Sequence, residues 1–563
     1  MGSGARHVSG LGQRDGALTR LAERSGEPFD ILVVGGGITG AGIALDAAAR
    51  GLSVALVERA DFASGTSSKS SKLVHGGLRY LEQREFSLMR EAAQERDLLR
   101  VLAPQLVEPT PFVLPVSDNW GRAKFGIGLW AYDALASFKN LAVHRYLGVD
   151  ETETAVPPLP NGKIKGGFLF YDCKNDDVRL VMEVLVQAVR YGATVANYTR
   201  VVDLSGSEKV CSATVQDELA GDTFEIQAKR VVVAAGVWGD KVEALANAGA
   251  EQRLRPSKGV HLCFRKDKLP MGDAAAFIPD AERKRMLFVI PWLDAVIVGT
   301  TDTSYEGDLD HPGVEVEDRR YCIEALNSVF DLELTDADVA GAWAGLRPLI
   351  VGKAGSTADL SRKHSVYDIA PGIMGITGGK LTTYRRMAKD AVDRVAEQLD
   401  NSARCKTGWI RLGCTDLRAL TSAVDRRATR LGIDKARALN LVRCYGDRAL
   451  DVLDVAEEEG RAEPMAPGLQ PLVAEAAYTA RSEMVVHLGD LLERRTRLAL
   501  TDPAGGIGAG AVGARVLGHE LGWSESRLDA ELAAYEHEVE TERGLPLRRR
   551  PSPDRRDHAA GAG

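Results

Sequence analysis

Much of what usually places a chain is missing from this one. Its cysteines (Cys173, Cys211, Cys263, Cys322, Cys405, Cys414 and Cys444) are scattered, with no CxxC pair and an odd total. Neither a disulfide framework nor a zinc site has its usual spacing, so reduced thiols in a cytosolic setting and no metal are expected. Positive charge is short as well. A formal net charge of −8 leaves no broad field for phosphate backbones and excludes a general nucleic-acid binder, so any anion site must be local. The longest uncharged apolar-leaning stretch, residues 31–45, is glycine-rich and stops short of the roughly 18 residues of a membrane span. The first 28 residues hold no apolar run of the kind a secretory signal carries, and their Gly, Ser and Arg content predicts a disordered arm over residues 1–27. No internal repeat is visible. What remains is ordinary globular composition, 45% hydrophobic and 27% charged, spread over 563 residues, more than one core normally serves.

The most specific text is FDILVVGGGITGAGIALDAAARGLSVALVER, residues 29–59. It reads as a short buried strand, a glycine turn, an Ala-rich helix stopped at Gly51, and a second strand ending at Glu58, which together make a βαβ unit. In the turn, Gly35 permits the tight bend, Gly37 lets backbone approach a pyrophosphate, and Gly40 lets helix and strand pack closely. Glu58 closes the second strand where an acidic side chain accepts bonds from ribose hydroxyls. NAD and FAD both suit such a unit, and two later segments bear on the choice. VVVAAGVWGD (residues 231–240) is a buried-strand run of the kind that returns to the nucleotide phosphates. GIMGITGGKLTTYRRMAKDAVDRVAEQL (residues 372–399) is a strand, a Gly-Gly-Lys turn and a helix capped near Thr382 or Thr383. A second helix N-terminus suits a flavin, whose reduced ring carries negative charge that the helix dipole stabilises.

By composition TSSKSSKLVHGGLRYLE (residues 66–82) resembles a solvated linker. Its place, leaving the second strand of the βαβ unit, puts it beyond the carboxyl ends of the strands, where ligands sit in such folds. Its hydroxyls and N–H groups can bond diphosphate oxygens, and His75-Gly76-Gly77 would let the chain pass close to an isoalloxazine ring. A helical pattern through Phe86, Met89 and Ala93 then runs to Pro104.

These stretches, together with YDCKNDDVRL, FVIPW, VGTTD, GLRPL and GGKLTTYR, resemble in order the FAD-dependent glycerol-3-phosphate dehydrogenases of the D-amino-acid-oxidase-like flavoprotein superfamily. The resemblance runs from about residue 30 to residue 398, with weaker helical similarity to about residue 540. SSKLVHGGLRYLE and GGKLTTYR are its most diagnostic parts.

Periodicity and resemblance together predict an α/β chain. A discontinuous Rossmann-like FAD-binding domain takes residues 28–110, 166–255 and 345–400. An antiparallel-sheet substrate or cap domain takes 111–165 and 256–344, and an α-helical C-terminal domain 401–545, followed by a disordered Arg-rich tail, 546–563. The resemblance implies FAD held by Gly35, Gly37, Ile38, Thr39, Gly40, Glu58, Arg59, Thr66, Ser67, Ser68, Ser71, Lys72, Leu73, His75, Gly76, Gly77, Val202, Ala235, Gly236, Gly379, Lys380, Leu381 and Thr382. It also implies oxidation of sn-glycerol 3-phosphate to dihydroxyacetone phosphate, with hydride passing from C2 to flavin N5. A quinone would accept the electrons, the chain would attach peripherally to the inner face of the cell membrane, and a homodimer is compatible with this reading.

A doubly charged phosphate needs cations to enter an enclosed pocket. The motifs offer Arg79, Arg347, Arg362 and Lys380, with Tyr80 beside them. His75 and Lys380 compete as the base. His75 is preferred because an imidazole already titrates near neutrality, so the catalytic set is His75, Arg347 and Lys380. His261, in KGVHLCF, is another candidate for the base, though it reads more readily as a strand residue packed in the cap. The aromatic-rich stretch 125–147 and the Arg-rich tail are the candidates for membrane contact. Three alternatives stay open: a glycerol-3-phosphate oxidase using O₂, an amine or amino-acid oxidase, and a non-catalytic module with FAD as a structural ligand.

Overall fold

The computed structural model describes residues 10–24, 27–77, 85–135, 142–159, 164–250, 252–280, 285–350 and 364–547. Two sheets organise it. In the first, Phe29–Val34 is flanked in parallel by Val54–Val57 and by Thr223–Val233. Thr194–Ala196 extends one side, Ile373–Thr377 the other, and Ser365–Ala370 returns antiparallel at the edge. A hairpin, Thr199–Ser205 with Cys211–Asp217, hangs from Thr223–Val233. The central strands are unbroken apolar runs, as a parallel sheet covered on both faces requires. The Ala-rich helix Ile38–Ala49 lies in that cover and packs against Asp177–Arg190 and Tyr384–Gln398. Small side chains let the three helices approach closely.

The second sheet contains Leu73–Val74, Glu108–Val116, Arg145–Leu147, Gly166–Lys174, Leu254–Arg265, Ala275–Asp280, Arg285–Trp292, Ala295–Gly299, Thr303–Ser304 and Val339–Ile350. It is mostly antiparallel, but Ala275–Asp280 runs parallel to Glu108–Val116, so the expected antiparallel cap is a mixed sheet. Sheet membership also moves some expected boundaries. Gly166–Lys174 and the end of Val339–Ile350 were assigned to the nucleotide domain but belong to the second sheet. The aromatic stretch is not one helix: Asn119–Leu135 is helical, while Arg145–Leu147 is a strand edge. No helix among the described residues is long and apolar enough to cross a membrane.

Residues beyond 405 are helical and form two apolar clusters, one centred on Leu441, Val452 and Leu453, the other on Leu488, Leu491 and Leu517. Leu545 and Leu547, at the end of that segment, pack against the second sheet's core and the second helical cluster. The join to the first sheet is ionic. Buried Glu483 accepts bonds from Arg179 (2.8 Å) and Arg448 (2.8 Å) and forms an ion pair with Arg495 at 3.3 Å, and Arg448 also holds Glu183. Removing any one partner would strand a charge away from water.

The N-terminal expectation is corrected for residues 10–24, which are not a disordered arm. Arg14–Ala22 is a helix with Ala17 and Leu21 buried. Arg14 donates to Asn197 O and Tyr198 O at 3.0 Å and pairs with Asp217 at 2.5 Å, and Leu11 N donates to Ser482 O at 2.7 Å. Composition suggested solvation, but apolar residues spaced four apart (Ala17 and Leu21) and one arginine suffice to dock the segment. None of the seven cysteines is joined in a disulfide.

Candidate active site

A cavity of about 400 Å³ opens where the carboxyl ends of the first sheet face the second. Its floor is the first glycine turn. Gly35 has φ +116°, and a Cβ there would lie 2.6 Å from Ala234 O. A Cβ on Gly40 would lie 1.9 Å from Gly35 O, so Gly40 serves helix packing and is not on the cavity wall. The helix Ile38–Ala49 starts at Gly37 without a side-chain cap, and Ile38 N donates to Ser67 Oγ at 3.0 Å. Glu58 accepts Gly36 N–H at 2.6 Å and Ala60 N–H at 3.0 Å; burial raises its pKa above the ordinary carboxylate range.

The Ser-rich loop lies on the wall. Thr66, Ser67, Lys69, Ser70, Ser71, Leu73 and His75 all line the cavity. Thr66 donates to Leu346 O at 2.6 Å, and Trp343 Nε1 donates to Ser70 O at 3.3 Å, so the loop is pinned to the strand that carries Arg347. His75 N donates to Thr382 Oγ1 at 3.2 Å, and Gly76 N to the Asp172 carboxylate at 3.1 Å. Burial pushes Asp172 up to about 6, against its pairing with Arg96. Three motifs distant in sequence thus meet at the His75 turn.

The second glycine turn closes another side. Ile373–Thr377 ends in Gly378 and Gly379, both with positive φ, and a 3-10 turn, Leu381–Thr383, precedes the helix Tyr384–Gln398. The expected cap at Thr382 or Thr383 is therefore one extra turn, and Thr383 makes no side-chain cap. From the second sheet comes Arg347, whose guanidinium donates to Thr300 Oγ1 at 3.0 Å and Thr301 O at 3.2 Å and pairs with Asp302 at 3.3 Å.

His261 was expected in the core of the cap. It is buried, but it lines the cavity. Its ring stacks on Trp343 (5.1 Å, 14°), Nε2 lies 2.8 Å from Ser71 Oγ, and Nδ1 has no hydrogen-bond partner among the described residues. Burial first, then Arg347 and Lys72, hold its pKa far below the usual imidazole value, which favours the neutral ring and opposes its protonation. Its register partners, Gly299 and Trp343, are on strands 38 and 82 residues further along the chain; no local pattern signals that meeting.

Of the residues assigned from sequence, Gly35, Gly37, Ile38, Thr39, Glu58, Arg59, Ala235, Gly236, Gly379, Lys380, Leu381 and Thr382 line this cavity together with the loop residues above and Arg347. Ser68, Lys72 and Val202 do not. Ser68 is buried and its hydroxyl donates to Gly65 O at 3.2 Å. Lys72, with φ 56°, turns its ammonium onto Asp177 at 2.8 Å. The neighbouring Val201, with Thr199 and Arg200, takes the place expected for Val202. Gly76 and Gly77 stand behind His75 and are not on the wall. Arg79, Tyr80 and Arg362 lie outside the described residues. Trp238, Phe288, Thr300 and Asp302 are wall residues that the sequence did not single out.

In a chain of negative net charge, this wall carries Arg59, Lys69, Arg200, Arg347 and Lys380 against Glu58 and Asp302. Two glycine turns, a helix N-terminus without a side-chain cap and a cationic majority suit a dinucleotide with an anionic partner.

Comparison with known proteins agrees with this chemistry. Residues 30–385 match the family model "FAD dependent oxidoreductase", and residues 405–528 match "C-terminal domain of alpha-glycerophosphate oxidase". Glycerol-3-phosphate dehydrogenase 2 of Mycobacterium bovis is 39% identical over 545 residues, covering 95% of this chain and 91% of its own. The aerobic glycerol-3-phosphate dehydrogenase of Staphylococcus saprophyticus is 37% identical over 487 residues, 84% and 87% of the two chains. The crystal structure of the glycerol-3-phosphate dehydrogenase from Bacillus halodurans, complexed with FAD, superposes with a TM-score of 0.79 at 31% identity, covering 95% of this chain and 98% of that one. The chain belongs to the FAD-dependent oxidoreductase family and, within it, to the glycerol-3-phosphate dehydrogenases.

Proposed function

We propose that this chain oxidises sn-glycerol 3-phosphate to dihydroxyacetone phosphate and passes the electrons to a quinone. The observation that carries the reading is the presence of Arg347, Lys380 and two imidazoles on the wall that also holds the glycine turns. FAD, when bound, supplies the acceptor for the carbinol hydride. Arg347 is oriented before substrate arrives by Thr300, Thr301 and Asp302, and its planar fork suits phosphate oxygens better than an ammonium does. Lys380 adds a point charge at the second glycine turn.

His75 takes the hydroxyl proton in this reading, its backbone fixed by Thr382. A second reading gives that role to His261, and it is favoured by the unpartnered Nδ1 on the cavity wall and opposed by the burial that lowers the basicity of the ring. Asn at each position separates the two: the base variant loses kcat at all pH values, whereas the other keeps a pH profile of normal shape.

The electron acceptor and the membrane rest on the resemblance and on one surface. The helix Asn119–Leu135 exposes Trp120 (77%), Ile127 (74%) and Trp130 (63%) on one side while Leu129 is buried. Lys124 lies on that side, while Arg122 stacks on the Tyr146 ring at 3.9 Å. Large apolar groups with a basic neighbour suit the headgroup layer of an anionic membrane, and we place this face against the inner side of the cell membrane. Addition of glycerol 3-phosphate to the anaerobic holoenzyme is expected to bleach the flavin, and glycerol or an amino acid to leave it coloured. Faster turnover with a quinone analogue than peroxide formation in air supports the dehydrogenase; the reverse supports the oxidase.

A further inference from the structure

The charged residues of the helical C-terminal domain converge on the Ser-rich loop, which they reach without lining the cavity. Asp61, fully buried at the start of the loop, accepts Arg494 Nε at 2.7 Å and Arg495 NH1 at 2.8 Å. Two residues on, Ala63 N donates to Gly36 O at 3.1 Å, inside the first glycine turn. Lys69, on the cavity wall, donates to Glu493 and, at 2.7 Å, to Glu542. Its carbonyl packs so closely on Gly345 that a Cβ there would sit at 2.4 Å, two residues before Arg347. Lys72 and Ser70 bond Asp177, which also takes Arg497 at 3.1 Å. Two points along one loop are thus held directly from one short segment, the π-helix Asp490–Arg495, assisted by Glu542 of the terminal helix Glu525–Arg543, and a third is reached from Arg497 through Asp177. π-helical turns are rare and concentrate at functional places.

We propose that the helical C-terminal domain is a brace for the cofactor loop, and that Glu493, Arg494, Arg495, Arg497 and Glu542 are positioning residues that keep residues 60–72 in the conformation FAD requires. The inference rests on family membership and not on the identity of the alcohol oxidised. A loop free to wander must be ordered each time cofactor binds, so the brace acts by removing that entropy cost in advance.

The test is the double variant Glu493→Gln/Glu542→Gln, which replaces no residue of the wall and removes the two carboxylates that hold Lys69. On dilution of the holoenzyme, FAD release followed by flavin fluorescence is expected to quicken at least tenfold. Amide exchange in residues 60–72 is expected to quicken with it, while exchange in Ala449–Glu458 of the same domain stays as in the parent. Release within twofold of the parent overturns the brace. So does faster release with unchanged loop exchange, or with exchange raised throughout the domain, because the change would then not run through the loop. If the double variant does not accumulate folded, Glu542→Gln alone, whose side chain is 25% exposed, carries the same readouts and the same criteria. Normal FAD release overturns the brace whatever happens to turnover, while failure of the parent's flavin to bleach with glycerol 3-phosphate overturns the proposed reaction and leaves the brace standing.

Discussion

Replacing Arg347 by Met keeps an unbranched apolar stem as far as the Nε position and removes the charge and the fork. The structure sets the size of the effect. The guanidinium already bonds Thr300, Thr301 and Asp302, so a phosphate would join a guanidinium held in place, and the side chain is 31% exposed. A hydrogen bond to a charged group contributes about 1.5–3 kcal/mol, and solvent screening places this one toward the lower end. At about 1.4 kcal/mol per tenfold, kcat/KM for glycerol 3-phosphate should fall roughly 10- to 150-fold. The loss should appear mainly in KM, because the phosphate is bound in the ground state as it is in the transition state. Arg347→Lys should recover part of it, since charge returns without the planar geometry. Steady-state kinetics with FAD in excess is the assay. A kcat/KM within threefold of the parent, with flavin content intact, would remove Arg347 from the substrate site and with it the argument for a phosphorylated alcohol.

Three further outcomes are expected. Gly40→Ala places a methyl 1.9 Å from a backbone oxygen, an overlap that costs about 1–3 kcal/mol or more; the purified variant should be depleted of flavin, and a full visible flavin spectrum would contradict the packing. Trp120→Ser/Trp130→Ser should weaken co-sedimentation with anionic vesicles at least about tenfold, and equal binding would move the membrane face elsewhere. Glu475 is raised to about 7 by burial, against the Leu472 N–H and the Tyr445 hydroxyl. A carboxyl raised in the fold stabilises it below the unfolded pKa and loses that contribution as pH rises, so this group should cost up to about 3 kcal/mol between its ordinary value and pH 7. Urea unfolding of Glu475→Gln should therefore gain on the parent as pH rises from 5 to 8; a constant difference would refute the assignment.

The central strands of the first sheet were readable because parallel strands covered on both faces are nearly continuous apolar runs, and ILVV, VALV and VVV have no other reading in that company. The glycine turns were readable because each needs backbone that a side chain would block. His261 was not, since a histidine between Val, Leu, Cys and Phe in an alternating run looks like core. What makes it part of the site is Ser71, 190 residues earlier, and Trp343, 82 residues later. Lys72 was misplaced for the opposite reason, as it shares a motif with residues that do line the cavity, and its own left-handed backbone turns it away. Periodicity showed the late helices without marking which of their acidic and basic residues would be buried. Their partners, such as Asp61 for Arg495, lie 434 residues apart, a separation that periodicity cannot span.

The order in which the first sheet is assembled has a consequence for biosynthesis. Phe29–Val34 leaves the ribosome early, yet the strand at Ile373–Thr377, two places away across Thr223–Val233, follows more than 300 residues later. At roughly 5–20 residues per second, the nascent chain carries an apolar, incomplete sheet edge for on the order of 20–70 s while the whole intervening sheet is translated. Nonsense products that end before residue 377 should be sticky fragments and not half-enzymes, and productive synthesis should draw on chaperones that shield that edge until its last strand arrives.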